Sequence, residues 1–263
     1  QPRSRGLGDV YKRQVELGQK GGARDLQASL DRPAEFCFQD ALPKSTETAT
    51  LQWASQGMEL AAVVPLFVSP KNLKVQGGQL SAKGEAKIQG GSIQVAGSIT
   101  SRAMRASGDW IQGDLQGESV GVQFRGIFEG GKKIRLEEAN FQAAWAGGEA
   151  QDLKGKVTAE WDVSKRQGWV IADGEGGLAG LGQAWSGAKL WPDSGLVKLH
   201  LEFSGNLQDQ GKGLVSLSLD NMHWAGEVAT PWRARVSSEV IHQAGQWRLP
   251  EFVGQADRGG QVL

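Results

Sequence analysis

Val197-Lys-Leu-His-Leu-Glu-Phe203 is a stretch in which apolar and polar residues alternate without a break. Side chains two positions apart on a β-strand point to the same face, whereas a helix places its apolar residues three and four positions apart. The spacing here fits the strand and not the helix. It predicts a strand with one polar face and one apolar face. The apolar members are Val197, Leu199, Leu201 and Phe203.

The same alternation recurs along much of the chain. It is found in Val215–Asp220, Val157–Val163 and Val120–Arg125, and in shorter form in Ile93–Val95 and Phe141–Trp145. Glycine pairs such as Gly77-Gly78, Gly90-Gly91, Gly130-Gly131, Gly147-Gly148 and Gly176-Gly177 separate these windows. Such pairs are typical of turns, and strand starts fall roughly every 8 to 15 residues, as in antiparallel meanders. The pattern predicts an all-β fold, with one short helix expected at 24–32.

The composition supports a folded protein and excludes two other classes. The chain has 263 residues, with 29 Lys plus Arg against 29 Asp plus Glu, so its formal net charge is zero. A nucleic-acid-binding protein needs a basic face, and we expect no nucleic-acid partner. Ten tryptophans and 39% hydrophobic residues argue against a disordered chain. Cys37 is the single cysteine, which excludes an internal disulfide and leaves the redox compartment open.

The two ends of the sequence do not have the character of natural termini. Residues 1–14 carry four basic groups and one acid with no apolar periodicity, and we interpret them as a non-native tail. Residues 15–263 are then a β-rich fragment of a longer protein. The longest apolar run, Leu60–Val68, is interrupted by Pro65 and is far shorter than the roughly 20 residues of a membrane-spanning helix.

The sequence motifs do not predict an enzyme, a metal site or a cofactor site. His200, His223 and His242 lack partners at metal-ligand spacing, and we expect them on the surface. Gly117–Gly121 matches the G-x-S-x-G nucleophile motif, but strand-like alternation follows where that motif requires a helix. Gly174–Gly182 approaches a dinucleotide-binding fingerprint without the βαβ unit that this fingerprint needs.

The ten tryptophans raise the hypothesis of sugar stacking. Most of them fall at strand positions or strand ends, where a large ring more often packs against a core or shields a sheet edge. They are Trp53, Trp110, Trp145, Trp161, Trp169, Trp185, Trp191, Trp224, Trp232 and Trp247.

Two segments of the sequence resemble a known protein family. The segment Pro65–Gly97, with its repeated Gly-Gly and alternating strands, and the segment Leu153–Trp161 (LKGKVTAEW) resemble AsmA-like proteins of Gram-negative cell envelopes. This group includes the TamB, YhdP and YdbH types, and Pro65–Gly97 is most similar to YdbH. The resemblance covers the chain from about Val63 onward. It rests on the general pattern of alternating strands and glycine pairs, not on an invariant motif.

The resemblance implies a fold and a function. It implies a long, curved antiparallel sheet forming a U-shaped groove (a β-taco or repeating β-groove) in a periplasmic protein anchored to the inner membrane. Such proteins are thought to carry phospholipids toward the outer membrane, with acyl chains along the apolar inner face. The implied partners are phospholipid acyl chains and, through other parts of the protein, components of the inner and outer membranes. The implied activity is lipid transport in outer membrane biogenesis, without catalysis, metal or cofactor.

The candidate lipid-groove residues are the apolar members of the four clearest strands. They are Val120, Val122, Phe124, Val157, Ala159, Trp161, Val197, Leu199, Leu201, Phe203, Val215, Leu217 and Leu219. The same residues would equally suit a closed core. Three alternatives to the lipid groove stay open. One is a closed β-sandwich binding module for carbohydrate or protein, another a type II secretion N-like envelope protein, and the third a right-handed β-helix.

Overall fold

The structure of the chain is a computed structural model. It describes residues 14–17, 26–31, 35–37, 42–44, 48–66, 73–108, 111–144, 152–179, 192–206, 210–224, 230–243, 246–258 and 261–262. Nearly all of these residues form β-strands, which confirms the all-β prediction.

The described chain has seventeen strands, one helical turn, one 3-10 turn and two further helical residues, Leu178 and Ala179. The strands are β1 Gln14–Leu17, β2 Leu26–Leu30, β3 Glu35–Cys37, β4 Leu42–Lys44, β5 Ala49–Glu59, β6 Lys74–Gln89, β7 Ser92–Gly108, β8 Ile111–Glu129, β9 Lys133–Ala144, β10 Leu153–Asp162, β11 Gln167–Gly177, β12 Ser194–Gly205, β13 Gln210–His223, β14 Trp232–Gln243, β15 Gln246–Arg248, β16 Phe252–Arg258 and β17 Gln261–Val262. The helix α1 is Leu60–Val63, and a 3-10 turn, Val64–Leu66, follows it.

Fifteen of the strands form one antiparallel sheet whose order follows the chain. The order is β1-β2-β5-β6-β7-β8-β9-β10-β11-β12-β13-β14-β16-β17, with β15 beside one end of β14, while β3 and β4 pair separately. The long strands therefore lie in a single layer and not in the two facing sheets of a β-sandwich. Described tight turns join β6 to β7, β8 to β9 and β10 to β11. Gly90-Gly91 and Gly130-Gly131 lie in two of these turns, as predicted, whereas Gly147-Gly148 lies outside the described residues.

The hairpins show how the sequence sets the strand ends. Gly90 and Gly91 join β6 to β7 with φ of 55° and 84°, values that glycine adopts without strain in a two-residue turn. The turn after β10 is instead held by Asp162, whose Oδ1 accepts hydrogen bonds from the backbone N and Oγ of Ser164 and from the backbone N of Lys165. These bonds, first of all that of the Ser164 hydroxyl, lower the pKa of Asp162.

Three local predictions are wrong. The segment expected to form a helix at 24–32 contains the strand Leu26–Leu30, because its apolar residues pair with β5. Gly77 and Gly78 do not form a turn but lie inside β6, at a shift in the β6–β7 register, with Gly78 at φ 120°. Gly176 and Gly177 likewise belong to the end of β11. The first pair marks an irregularity inside a strand, and the second lies in regular register with β12, so neither pair reverses the chain.

Candidate functional site

The register between paired strands shows which of their residues lie on the same face of the sheet. Residues directly opposite each other on paired strands share a face, so a row of opposed residues can be followed across the sheet. One such row crosses from β5 to β16 and consists of Trp53, Gly84, Gly97, Phe124, Ala139, Val157, Ala172, Leu201, Val215, Ser238 and Phe252. Ten of these eleven side chains are apolar or glycine. We call the face that carries this row the apolar face.

All thirteen candidate lipid-groove residues lie on the apolar face. The row next to the one above contains Val122, Leu199 and Leu217, and the row beyond it contains Val120, Val197 and Leu219. On the other side, Ala159 shares a row with Phe203. The structure thus brings together, on one surface, residues that the sequence placed on four separate strands.

The apolar face is open in the part of the chain that the structure describes. Of the thirteen candidates, Phe203 is buried, Leu199 keeps 44% of its surface exposed, and the other eleven are half-buried. Ile134 on the same face is 46% exposed. Side chains in a closed core are almost wholly buried, so neighbours within the sheet flank these residues while their outer ends stay accessible.

Aromatic rings and glycines are matched across the apolar face. Five directly opposed pairs combine an aromatic residue with a glycine: Trp53–Gly84, Phe124–Gly97, Phe141–Gly155, Trp161–Gly168 and Phe203–Gly213. A Cβ atom at Gly84, Gly155 or Gly168 would collide with the ring of its partner. At these three positions the ring lies over the glycine of the adjoining strand and covers backbone that would otherwise face water, which leaves a flatter surface. The ring of Phe203 lies instead over Gly211, two positions from the glycine opposite it.

A few polar side chains interrupt the apolar face. The buried polar residues that the structure describes are Ser55, Ser101, Ser238 and His242, and all four lie on this face. The surface position predicted for His242 is wrong, since this residue is only 2% exposed. Its Nδ1 lies 3.3 Å from the backbone carbonyl oxygen of Asn206, at the end of the sheet where β12 and β13 meet.

The opposite face of the sheet carries the polar residues of the alternating pattern, and we call it the polar face. A cleft of about 990 Å³ crosses it from β6 to β13. Two rows of side chains wall this cleft: Lys83, Ser98, Gln123, Asn140, Lys156, Asp173, His200 and Ser216 form one, and Thr100, Gly121, Gln142, Lys154, Glu175, Lys198 and Ser218 form the other. Sequence analysis missed this cleft because its walls draw at most two residues from each of eight strands.

Ion pairs between neighbouring strands neutralise much of the polar face. Lys154 Nζ lies 3.0 Å from Glu175 Oε1. A β-bulge in β9 turns both Glu137 and Glu138 toward Arg125, at 3.1 Å and 3.6 Å. Each contact of this kind at an exposed position contributes little to stability. The charged groups leave the polar face hydrated, in contrast to the apolar face.

His200 is the one described histidine held between two carboxylates. Its Nδ1 lies 2.7 Å from Asp173 Oδ1 and its Nε2 lies 3.1 Å from Glu202 Oε1. The hydrogen bond with Asp173 raises the pKa of His200, desolvation opposes this rise, and Glu202 adds to it. Within the described residues no three His, Cys, Asp or Glu side chains are grouped so that they could hold a metal ion.

Ser119 and Gly174, one from each enzyme-like motif, lie in β-strands, whereas Leu178 and Ala179 of the second motif are helical. Ser119 is in the interior of β8, opposite Arg102 and Ala144, and not in a strand-to-helix turn. Gly174 lies inside β11, and the part of its motif after residue 179 falls outside the described residues.

The tryptophans that the structure describes are spread over both faces. Trp53, Trp161 and Trp232 lie on the apolar face, and Trp169 is on the polar face. Trp224 packs edge-on against Trp232. Trp110, Trp145, Trp185 and Trp191 lie outside the described residues, and the side chain of Trp247 is not described.

None of the helical residues that the structure describes forms a segment with the length and apolar character needed to span a bilayer. Comparison with known proteins gives no significant match to a protein family, to a curated protein or to a solved structure.

Proposed function

We propose that this chain is a non-enzymatic lipid-binding segment that conducts phospholipids across the periplasm between the inner and outer membranes. The proposal joins the resemblance to AsmA-like proteins with one observation: a largely apolar face that crosses eleven strands and leaves most of its candidate side chains only half-buried. A soluble protein seldom leaves so large an apolar surface uncovered unless something apolar binds there.

The dimensions of the apolar face suit acyl chains. Strands in a sheet are about 4.8 Å apart, so the row from Trp53 to Phe252 spans roughly 48 Å across ten strand intervals. One acyl chain spans half of the bilayer hydrocarbon core, or about 15 Å. The face therefore has room for several chains end to end along one row, as a conduit requires.

The chemistry of the apolar face is compatible with acyl chains. Each methylene group moved from water onto such a surface gains about 0.8 kcal/mol, so an acyl chain binds without a specific polar contact. Where rings lie over Gly84 and Gly155, the surface between neighbouring strands is flat. A chain on this surface meets similar side chains wherever it lies, which allows it to slide.

The proposal places the protein in the cell envelope. Its polar face stays toward water, and contacts with inner and outer membrane components are made through parts of a longer protein. Catalysis, metal and cofactor have no role in it.

Mass spectrometry of the lipids that co-purify with residues 15–263 from a Gram-negative periplasm tests the proposal. We expect phospholipid in near-stoichiometric amounts, released by delipidation and regained from vesicles. A folded protein that carries no phospholipid and takes none up would contradict it.

A further inference from the structure

The cleft on the polar face has the shape of a site for a long, narrow ligand. It crosses eight strands, from β6 to β13, which is roughly 34 Å at about 4.8 Å per strand interval. The backbone of the row between its two walls, which includes Gly155, Gly174 and Leu199, forms the floor. A volume of about 990 Å³ spread over this length has room for one extended chain and not for a globular partner.

The walls of the cleft are rich in neutral groups that form hydrogen bonds. Hydroxyl and amide side chains occupy seven wall positions: Ser98, Thr100, Gln123, Asn140, Gln142, Ser216 and Ser218. They lie toward the two ends of the cleft, on β7 to β9 and on β13, with charged residues between them. Hydroxyl and amide groups both donate and accept hydrogen bonds, so they suit a ligand that carries many hydroxyl groups.

Two other kinds of elongated ligand fit the cleft poorly. An extended peptide commonly binds by adding a strand to the free edge of a sheet. The cleft lies instead in the interior of the sheet, where the backbone groups are paired with neighbouring strands. Single-stranded nucleic acid stacks its bases on aromatic rings, and the side chains of the two walls include no such ring. Recognition here depends on side-chain hydrogen bonds and on charge.

The walls carry more positive than negative groups, although the formal net charge of the whole chain is zero. They contain two carboxylates and four lysines, Lys83, Lys154, Lys156 and Lys198. Both carboxylates are engaged, since Glu175 lies 3.0 Å from Lys154 Nζ and Asp173 lies 2.7 Å from His200 Nδ1. An anionic ligand therefore meets cations along the cleft and no unpaired carboxylate of the walls.

Two unpaired cations face each other at the β13 end of the cleft. Ser218 lies directly opposite Lys198 on one neighbouring strand and directly opposite Arg235 on the other. Neither of these cations forms an ion pair within the described part of the chain, and neither does Lys83 at the far end of the cleft. Because like charges repel, an anion between Lys198 and Arg235 would be bound by both and by the Ser218 hydroxyl.

We propose that this cleft binds an acidic polysaccharide, that is, a chain of sugars that carries both hydroxyl and anionic groups. Its anionic groups bind to Lys198 and Arg235 at one end and to Lys83 at the other, and its hydroxyl groups bond to the serine, threonine and amide side chains. The inference does not rest on lipid binding, because the cleft and the apolar face lie on opposite sides of the sheet.

Fluorescence anisotropy of a labelled oligogalacturonate in low-salt buffer tests the proposal. Lys198→Gln and Arg235→Gln each remove one cation, and we expect each to weaken binding roughly fivefold. Both side chains are exposed, so the fold should stay intact as judged by circular dichroism. Lys212→Gln is the matched control, because it removes the same charge from an exposed position of the polar face outside the cleft. It should bind like the parent chain.

Glu175→Gln tests the charge of the cleft in the opposite direction. The substitution removes a carboxylate from the wall and frees Lys154, so oligogalacturonate should bind several-fold more tightly. A gain of affinity cannot come from damage to the fold. Unchanged or weaker binding by this variant would contradict the assignment of the cleft to an anionic ligand.

Three further ligands separate an acidic polysaccharide from other partners. A neutral oligosaccharide of the same length, polyglutamate and vesicles containing phosphatidylglycerol should all bind the parent chain more weakly than oligogalacturonate. Equal binding of the neutral sugar overturns the proposal, and tighter binding of polyglutamate or of the vesicles assigns the cleft to a peptide or a membrane instead. A parent chain that does not bind oligogalacturonate also overturns it, as does an equal loss in Lys212→Gln and Lys198→Gln.

Discussion

The ring of Phe141 lies over Gly155, the residue directly opposite it on the adjoining strand, and occupies the space that a Cβ atom would need. The carbonyl oxygen of Asp173 closes the same space from the other side. Gly155 does not have the positive φ that commonly demands glycine. The requirement for glycine is here one of packing: a side chain would have to displace a ring or the backbone of β11.

Gly155→Ala is expected to destabilise the protein. The added methyl group must move the Phe141 ring and the β11 backbone, and overpacking of this kind costs about 1–3 kcal/mol. Urea unfolding followed by circular dichroism measures the change as a lower midpoint with an unchanged slope.

Gly174→Ala is the matched control on the next strand. Its Cβ atom would lie 3.5 Å from Phe141 Cζ and 3.7 Å from the carbonyl oxygen of Lys154, which are ordinary contacts. The substitution should leave stability unchanged or raise it by about 0.4–1 kcal/mol, because alanine restricts the unfolded chain. Equal losses from the two substitutions would show that the ring does not set the requirement at Gly155.

The sequence predicted the strands and their two faces, but not how residues match between strands. The alternation in Val197–Phe203 depends only on local spacing, and the structure has a strand there, in β12. The opposition of Phe141 and Gly155 depends on the length and path of the connection between two strands, which local spacing does not contain. The prediction of a turn at Gly77-Gly78 is wrong because a bulge in a strand and a chain reversal both favour glycine.

Trp53 and Phe124 are predicted to stabilise each other across two intervening strands. Their rings stack with centroids 6.4 Å apart and an interplanar angle of 20°, and the intervening positions are Gly84 and Gly97. Rings so placed interact by about 0.5–1.5 kcal/mol beyond their burial. A double-mutant cycle with Trp53→Ala and Phe124→Ala should show this coupling energy, whereas Trp53→Ala combined with the distant Phe203→Ala should be additive.

The stability that His200 contributes is predicted to fall as the pH rises. The pKa of His200 in the folded protein is raised above 6.5, because its ring bonds to Asp173 and, to a lesser extent, to Glu202. A raised pKa means that the folded state binds the proton more tightly than the unfolded chain. The contribution is therefore complete below pH 6.5 and disappears as the pH passes the folded pKa. His200→Gln should destabilise the protein in acid more than in alkaline buffer.

Titration of the His200 ring by NMR checks the cause of this pH dependence. Asp173→Asn should lower the pKa of His200 the most, because the Asp173 hydrogen bond is the largest cause of the shift. Glu202→Gln should lower it less. If both substitutions leave the titration unchanged, the carboxylates do not control the ring.

Leu199 and Leu214 provide the sharpest test of lipid binding, because they differ in the face they occupy and in little else. Leu199 is on the apolar face and 44% exposed, and Leu214 is on the polar face of the neighbouring strand and 42% exposed. Equal exposure means that a charge at either site stays in contact with water, so Leu199→Lys and Leu214→Lys should unfold at similar urea concentrations. Only the charge at Leu199 interrupts the surface on which an acyl chain would lie, and removing its ammonium group from water is costly. We expect Leu199→Lys to reduce the phospholipid that co-purifies and the binding of a fluorescent fatty acid several-fold, with Leu214→Lys binding like the parent chain. Equal binding by the two variants would mean that lipid does not occupy the apolar face.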